Sequence, residues 1–178
     1  MKFKNYIALA LLAGMAAACD YTDLSPLDSF TDQSYWKSSK DLKLYANGLY
    51  GLLSSPSATL DNTSDNFVTS NYSSYLFDEM TVPTEASGNN GWDWGNIRSC
   101  NYFLSRYQTA QGSENEINKY VAEVRFFRGL LYFSKVKMFG DVPFYDKDLQ
   151  TDDTEQLYKA RDPQDVVIAK VIDDFKYA

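Results

Sequence analysis

The sequence predicts an all-α protein, mostly α-helical with long irregular loops. Three observations carry that expectation. Apolar residues recur at a 3.6-residue period in four separate segments. Two of those segments open with a serine followed three residues later by an acid, Ser38–Asp41 and Ser113–Glu116, the pattern of a capping box. Finally, Gly140 with Pro143 and then Pro163 stand where one helix must stop and another must start.

Residues 1–18 do not belong to the fold. Lys2 and Lys4 form a positive n-region, and Tyr6 to Ala18 is an apolar stretch ending in Ala16-Ala17-Ala18 before Cys19. It is shorter than the roughly 20 apolar residues a spanning helix needs. Small residues leading directly into a cysteine fit a bacterial lipoprotein signal, with Cys19 as the acylated first residue of the mature chain. The alternative is an ordinary secretory signal followed by a cysteine by chance. Residues 19–31, polar with one proline and no helical period, read as an extended tether.

The helical domain is expected over residues 32–178. Its first helix follows Ser38, with Leu42, Tyr45, Ala46, Leu49, Leu52 and Leu53 in period, and should end near Ser54–Pro56. Gly48 and Gly51 each cost this helix about 1 kcal/mol relative to Ala, so they are expected to mark close packing against another element. Residues 54–91 are rich in Ser, Thr, Asn and Asp. Stretches of that length inside a domain are often functional. Here Phe67, Tyr72, Tyr75, Leu76, Phe77 and Met80 are expected to anchor the segment. A second helix is expected over residues 92–107, with Trp94, Ile97, Asn101 and Leu104 on one stripe. The third runs from Ser113 to Gly140, and its apolar residues surround the axis from Phe126 to Phe133, so burial on more than one side is expected. The fourth starts with Asp162 as N-cap and Pro163 in the first turn, and presents Val166, Val167, Val171, Ile172 and Phe175. It reaches Ala178 in mid-pattern, so the domain is read as truncated at its C-terminal end.

Composition removes several function classes. The 178 residues include no histidine, which excludes Ser-His-Asp and Cys-His catalysis and His-based zinc sites. The net charge is −7. Removing residues 1–18, which hold Lys2 and Lys4 and no acid, takes it to −9, which disfavours nucleic acid and anionic lipid as partners. After Cys19 only Cys100 remains, so no internal disulfide is available, and Cys100 reads as a small buried hydrophobe on a helix.

Four patterns bear on chemistry. Asp61 to Asn66 has alternating oxygen ligands like the start of a calcium loop, but Asn66 and Tyr72 stand where Gly and Glu are required. No metal and no cofactor is therefore predicted. Asp78 and Glu79 are adjacent carboxylates, a pattern too common among 24 acids to specify a glycosidase. Trp92, Asp93 and Asn96, in a Gly-Trp-Asp-Trp-Gly-Asn run, offer an aromatic face with polar groups beside it, which suits sugar rings and their hydroxyls. Trp94 falls on the helix stripe and reads as core. Arg125 and Arg128, beside Glu123, read as structural cations paired with helix acids.

Taken together, these segments resemble the SusD/RagB family of outer-membrane lipoproteins of Bacteroidetes. The resemblance rests on Cys19-Asp20, on Thr31 to Lys37 leading to Ala46-Asn47-Gly48-Leu49-Tyr50, and on Trp94-Gly95-Asn96-Ile97. It is strongest in Ala122-Glu123-Val124-Arg125-Phe126-Phe127-Arg128-Gly129-Leu130-Leu131-Tyr132-Phe133, closed by Phe139-Gly140-Asp141-Val142-Pro143. It implies a scaffold of tetratricopeptide-like helix pairs. It also implies a surface lipoprotein, not an enzyme, that captures glycans or other nutrients and passes them to a TonB-dependent outer-membrane transporter. The arginine-and-aromatic helix would be scaffold, and the loop around Trp92 to Asn96 would lie where some members touch ligand. Members are about three times longer, so the chain corresponds to the N-terminal portion; a docking lipoprotein that contacts the transporter without ligand is the alternative.

Overall fold

The computed structural model describes residues 35–53, 76–79 and 91–178, and the chain divides into the units Met1–Tyr35 and Trp36–Ala178. Cys19, the signal, the tether, the calcium-like turn at 61–66, and Phe67, Tyr72, Tyr75 and Met80 lie outside the described residues.

Among the described residues the second unit holds five α-helices: α1 (Ser39–Leu49), α2 (Gly95–Leu104), α3 (Glu114–Phe139), the single turn α4 (Thr154–Leu157) and α5 (Gln164–Tyr177). Among the described residues no strand forms, only isolated bridges at Ser38–Gln111 and Val142–Asp162. The all-α expectation therefore holds there. No helix among them is long and apolar enough to cross a membrane.

The ends of α3 and the start of α1 follow the sequence closely. The Asp41 carboxylate accepts from both the backbone N–H and the hydroxyl of Ser38, at 2.8 Å each. Ser113 Oγ accepts from the Glu116 N–H at 3.3 Å. Gly140 ends α3 at φ 68°, a conformation that costs any residue with a Cβ. The helix stops one residue before it, as predicted.

α3 is the spine. Ser39 Oγ donates to Glu116 at 3.2 Å, and Tyr50 meets Phe127 edge-on at 5.1 Å, so α1 runs parallel to α3. Asn101 meets Arg128 while Ile97 packs in one cluster with Tyr132, Val136 and Phe139, so α2 runs antiparallel. At one end of α5 the Gln164 N–H donates to Asp141, and at the other Asp174 meets Arg125 and Arg128. The α3–α5 pair is thus an antiparallel hairpin of the tetratricopeptide-like kind. Val167 and Val171 join the Ile97–Tyr132 cluster, and Val142, from the Gly140–Pro143 exit, completes it.

Four details correct the sequence reading. α1 ends at Leu49 and continues only as a 3₁₀ turn over Tyr50–Leu52. No described atom lies within 4 Å of a Cβ built on Gly48 or Gly51, so neither marks a close approach; Gly48 lies off the Leu42–Ala46–Leu49 stripe that faces the core. α5 is not capped by Asp162. Asp141 supplies the acceptor for its first N–H, and Asp162 turns back to accept from the Phe144 N–H at 2.6 Å. Leu76 and Phe77 do not anchor their segment by burial, Phe77 being 63% exposed.

The apolar ring around α3 is only partly buried. Phe127 and Tyr132 face neighbouring helices, whereas Phe126 and Phe133 point outward. On α5, Val166, Ile172 and Phe175 are likewise exposed, and the third inward position belongs to Asp174.

Candidate functional site

Beside the α2–α3 seam, the chain leaving α3 and the turn α4 enclose a groove of about 580 Å³. One wall is aromatic and comes from the start of α2. Trp92 and Trp94 meet edge-on at 5.2 Å, and Trp92 also meets Phe139 at 4.8 Å, so its inner side leans on the core. Gly91, at φ 73°, sets the entry of this segment, and its carbonyl accepts from Lys135 Nζ at 2.6 Å. Burial lowers the Lys135 pKa, with Asp93 acting in the opposite direction.

The facing wall is Tyr145, which meets Trp94 edge-on at 5.6 Å. Its backbone is pinned from below. Tyr132 Oη donates to the Tyr145 carbonyl at 3.0 Å and accepts from the Tyr145 N–H at 2.7 Å. The Asn101 amide donates to the carbonyls of Tyr145 and Lys147 at 2.8 and 3.2 Å. The hydroxyl of Tyr132 is held well above the ordinary phenol pKa, chiefly by burial, so it serves as a neutral donor and acceptor.

That floor rests on a buried charge cluster. Arg128 reaches Asp174 through Nε and a terminal nitrogen at 2.7 Å each, Arg125 joins at 2.8 Å, and Arg128 also donates to Asn101 at 3.0 Å. The two arginines are structural, as the sequence suggested, but their acid is Asp174 on α5 rather than a neighbour on their own helix. Cys100 is fully buried nearby; burial raises its thiol pKa to about 12, with Arg128 lowering it and Asp174 raising it. A neutral thiol in that setting is packing, not a nucleophile.

The groove's outer rim carries Leu157, Tyr158, Lys159 and Arg161. Tyr158 is 85% exposed, the most open aromatic residue among those described. Arg161 lies over the Trp92 ring at 4.7 Å and Lys159 over Tyr145 at 5.3 Å. Lys159 also binds Asp162 at 2.7 Å. Burial works to raise the Asp162 pKa, but the hydrogen bonds from Lys159 and the Phe144 N–H together outweigh it and leave it below the ordinary value.

Of the residues singled out by sequence, Trp92 lines the groove, and so does Trp94, which was read as core. Asp93 accepts from the Gly95 N–H at 2.9 Å, and Asn96 is exposed on the first turn of α2; neither lines the groove. Asp78 and Glu79 are exposed and lie elsewhere. Among the described residues, no three His, Cys, Asp or Glu side chains gather as a metal site would require. Tyr145, Lys147, Tyr158, Lys159 and Arg161 were missed. They lie in a stretch with no apolar period, where the one visible signal was a run of aromatic and basic residues at Tyr158–Arg161.

Comparison with known proteins agrees with this scaffold. The SusD-like family model, described as starch-binding associating with outer membrane, matches residues 21–178. Two SusD-like proteins of Formosa agariphila, P2 and P25, are 23% and 24% identical over 98% and 100% of this chain. The chain spans 37% and 38% of their lengths. A crystal structure of a SusD-like protein from Bacteroides fragilis aligns with a TM-score of 0.69 at 28% identity, over 87% of this chain and 32% of that one. A SusD-like carbohydrate binding protein from the same species shares the fold, with a TM-score of 0.62 at 20% identity, over 80% of this chain and 31% of its own. A family model covering nearly the whole chain, together with a shared helical core, establishes that this protein belongs to the SusD-like family.

Proposed function

We propose that this protein is a cell-surface lipoprotein that captures glycans and delivers them to a TonB-dependent outer-membrane transporter, acting by binding rather than by chemistry. The observation that carries the reading is the groove walled by Trp92, Trp94 and Tyr145 with Tyr158 open at its rim. Rings offer flat apolar faces to the C–H side of a sugar, and the polar groups between them take its hydroxyls. Trp92 is assigned a stacking role, and Asp93 and Asn96, exposed beside that wall, are assigned to hydroxyls. The naming of a B. fragilis neighbour as carbohydrate binding and the family's association with the outer membrane support the reading. Acyl chains on Cys19 would supply the anchor, each buried CH₂ contributing about 0.8 kcal/mol.

The test is calorimetry of the mature protein against a panel of oligosaccharides. Tyr158→Ala and Trp92→Ala are each expected to weaken the best ligand by about 5- to 30-fold, the cost of removing one aromatic anchor. Tyr158→Ala is the cleaner variant, because Trp92 also packs on Phe139. Binding to no oligosaccharide, or full affinity in a folded Tyr158→Ala/Trp92→Ala double variant, refutes the assignment.

A further inference from the structure

The sign of the charge in the groove is opposite to that of the protein. The chain carries −7 overall, yet the charged side chains lining the groove are Arg98, Lys147, Lys159 and Arg161, with no Asp or Glu among them. Two of these cations are already answered: Lys159 by Asp162, and Arg98 by a long 3.4 Å contact to Asp148, which also serves Arg106 at 3.0 Å. The other two are not. Lys147 and Arg161 are exposed, and neither has an acid within 4 Å among the described residues; Arg161 has the Trp92 ring as its neighbour. The nearby acids Asp146, Asp152, Asp153 and Glu155 are exposed and do not line the groove.

Resting on the glycan reading, we propose that the ligand is an anionic oligosaccharide, with carboxylate or sulfate groups that meet Lys147 and Arg161 while its rings lie on Tyr158 and Trp92. A neutral sugar offers these two cations only hydroxyl and ring oxygens as acceptors, whereas a carboxylate or sulfate adds ionic, charge-assisted hydrogen bonds there. The rings favour a sugar over an acidic peptide, because a peptide side-chain carboxylate brings no flat ring face to the aromatic wall.

The experiment compares trigalacturonate with its uncharged methyl ester, a sulfated carrageenan tetrasaccharide, maltotetraose and hexaglutamate, all titrated against the mature protein. The expected result is a preference for the acid over its ester of about tenfold or more, equivalent to about 1.4 kcal/mol, which shrinks as salt is added. In Lys147→Gln/Arg161→Gln that ratio should fall close to one, and each single variant should lower it part of the way. Both side chains are exposed, so folding is expected to survive, and a urea melt verifies it. Tighter binding of the sulfated tetrasaccharide than of trigalacturonate would support the inference with sulfate as the recognised anion. Equal affinity for ester, acid and sulfated tetrasaccharide, or an unchanged preference for the anionic sugar in the double variant, overturns the inference and leaves the glycan reading standing. Hexaglutamate binding as tightly as trigalacturonate overturns it in favour of an acidic peptide. If no saccharide binds at all, the glycan reading itself fails.

Discussion

Replacing Asp174 with alanine removes the acid that, among the described residues, pairs with both arginines of a buried cluster. Asp174 is 1% exposed and accepts three hydrogen bonds of 2.7–2.8 Å, two of them from Arg128. After the substitution, Arg128, whose side chain is 9% exposed, keeps a neutral contact to Asn101 and no counter-ion. Arg125, at 25% exposed and stacked over Tyr177 at 4.3 Å, can turn to water, so its share of the cost is small. Removing one partner of a buried pair leaves an uncompensated charge, and the expected loss is about 3–5 kcal/mol, a large part of the 5–15 kcal/mol that stabilises a typical domain. Urea unfolding followed by tryptophan fluorescence measures it. Because most of that loss is the stranded charge, Arg128→Met/Asp174→Leu should lose clearly less than Asp174→Ala alone. A single-variant loss below about 1 kcal/mol, or a double variant as damaged as the single, would refute the reasoning.

Three further outcomes follow from the same packing. Gly48→Ala should stabilise the protein by about 0.5–1 kcal/mol, because the position is helical and its Cβ meets no described atom; a lower urea midpoint would contradict this. Asp162 has a folded pKa below its ordinary 3.8. Its contribution is therefore complete above that value and is lost as pH falls through the lower folded one. The melting temperatures of the wild type and Asp162→Asn should accordingly converge on acidification, and a gap that widens towards low pH would reverse the sign. Cys100, with its thiol pushed to about 12, should resist a thiol reagent at pH 8 in the folded protein and react once urea is added. Rapid labelling of the native state would place it at the surface.

Much of the scaffold was legible because it is written locally. A serine and an acid three residues apart can cap only a helix start, and Gly140 can occupy φ 68° without the clash a Cβ would bring. The 3.6 period of α3 therefore set its limits to within a residue. Burial was less legible where periodicity had several solutions. Phe126 and Phe133 are as apolar as Phe127, yet only contact with α1, α2 and α5 decides which ring is covered.

By itself the sequence determined the four main helices, the Ser38 and Ser113 caps, the Gly140 stop, the absence of imidazole chemistry, and the arginine-and-aromatic helix that marks the family, since each depends on composition or on residues a few positions apart. Tertiary structure decided the rest. Asp174 lies 46 residues from Arg128, and no local rule couples them; antiparallel packing of α3 and α5 brings them to 2.7 Å. In the same way, Trp92 and Arg161 are neighbours only because the chain folds back between Val142 and Asp162. That fold-back brings Lys147 and Arg161, which have no acid partner among the described residues, to a groove with an aromatic wall in an acidic protein, since groove charge depends on which side chains converge and not on their sum.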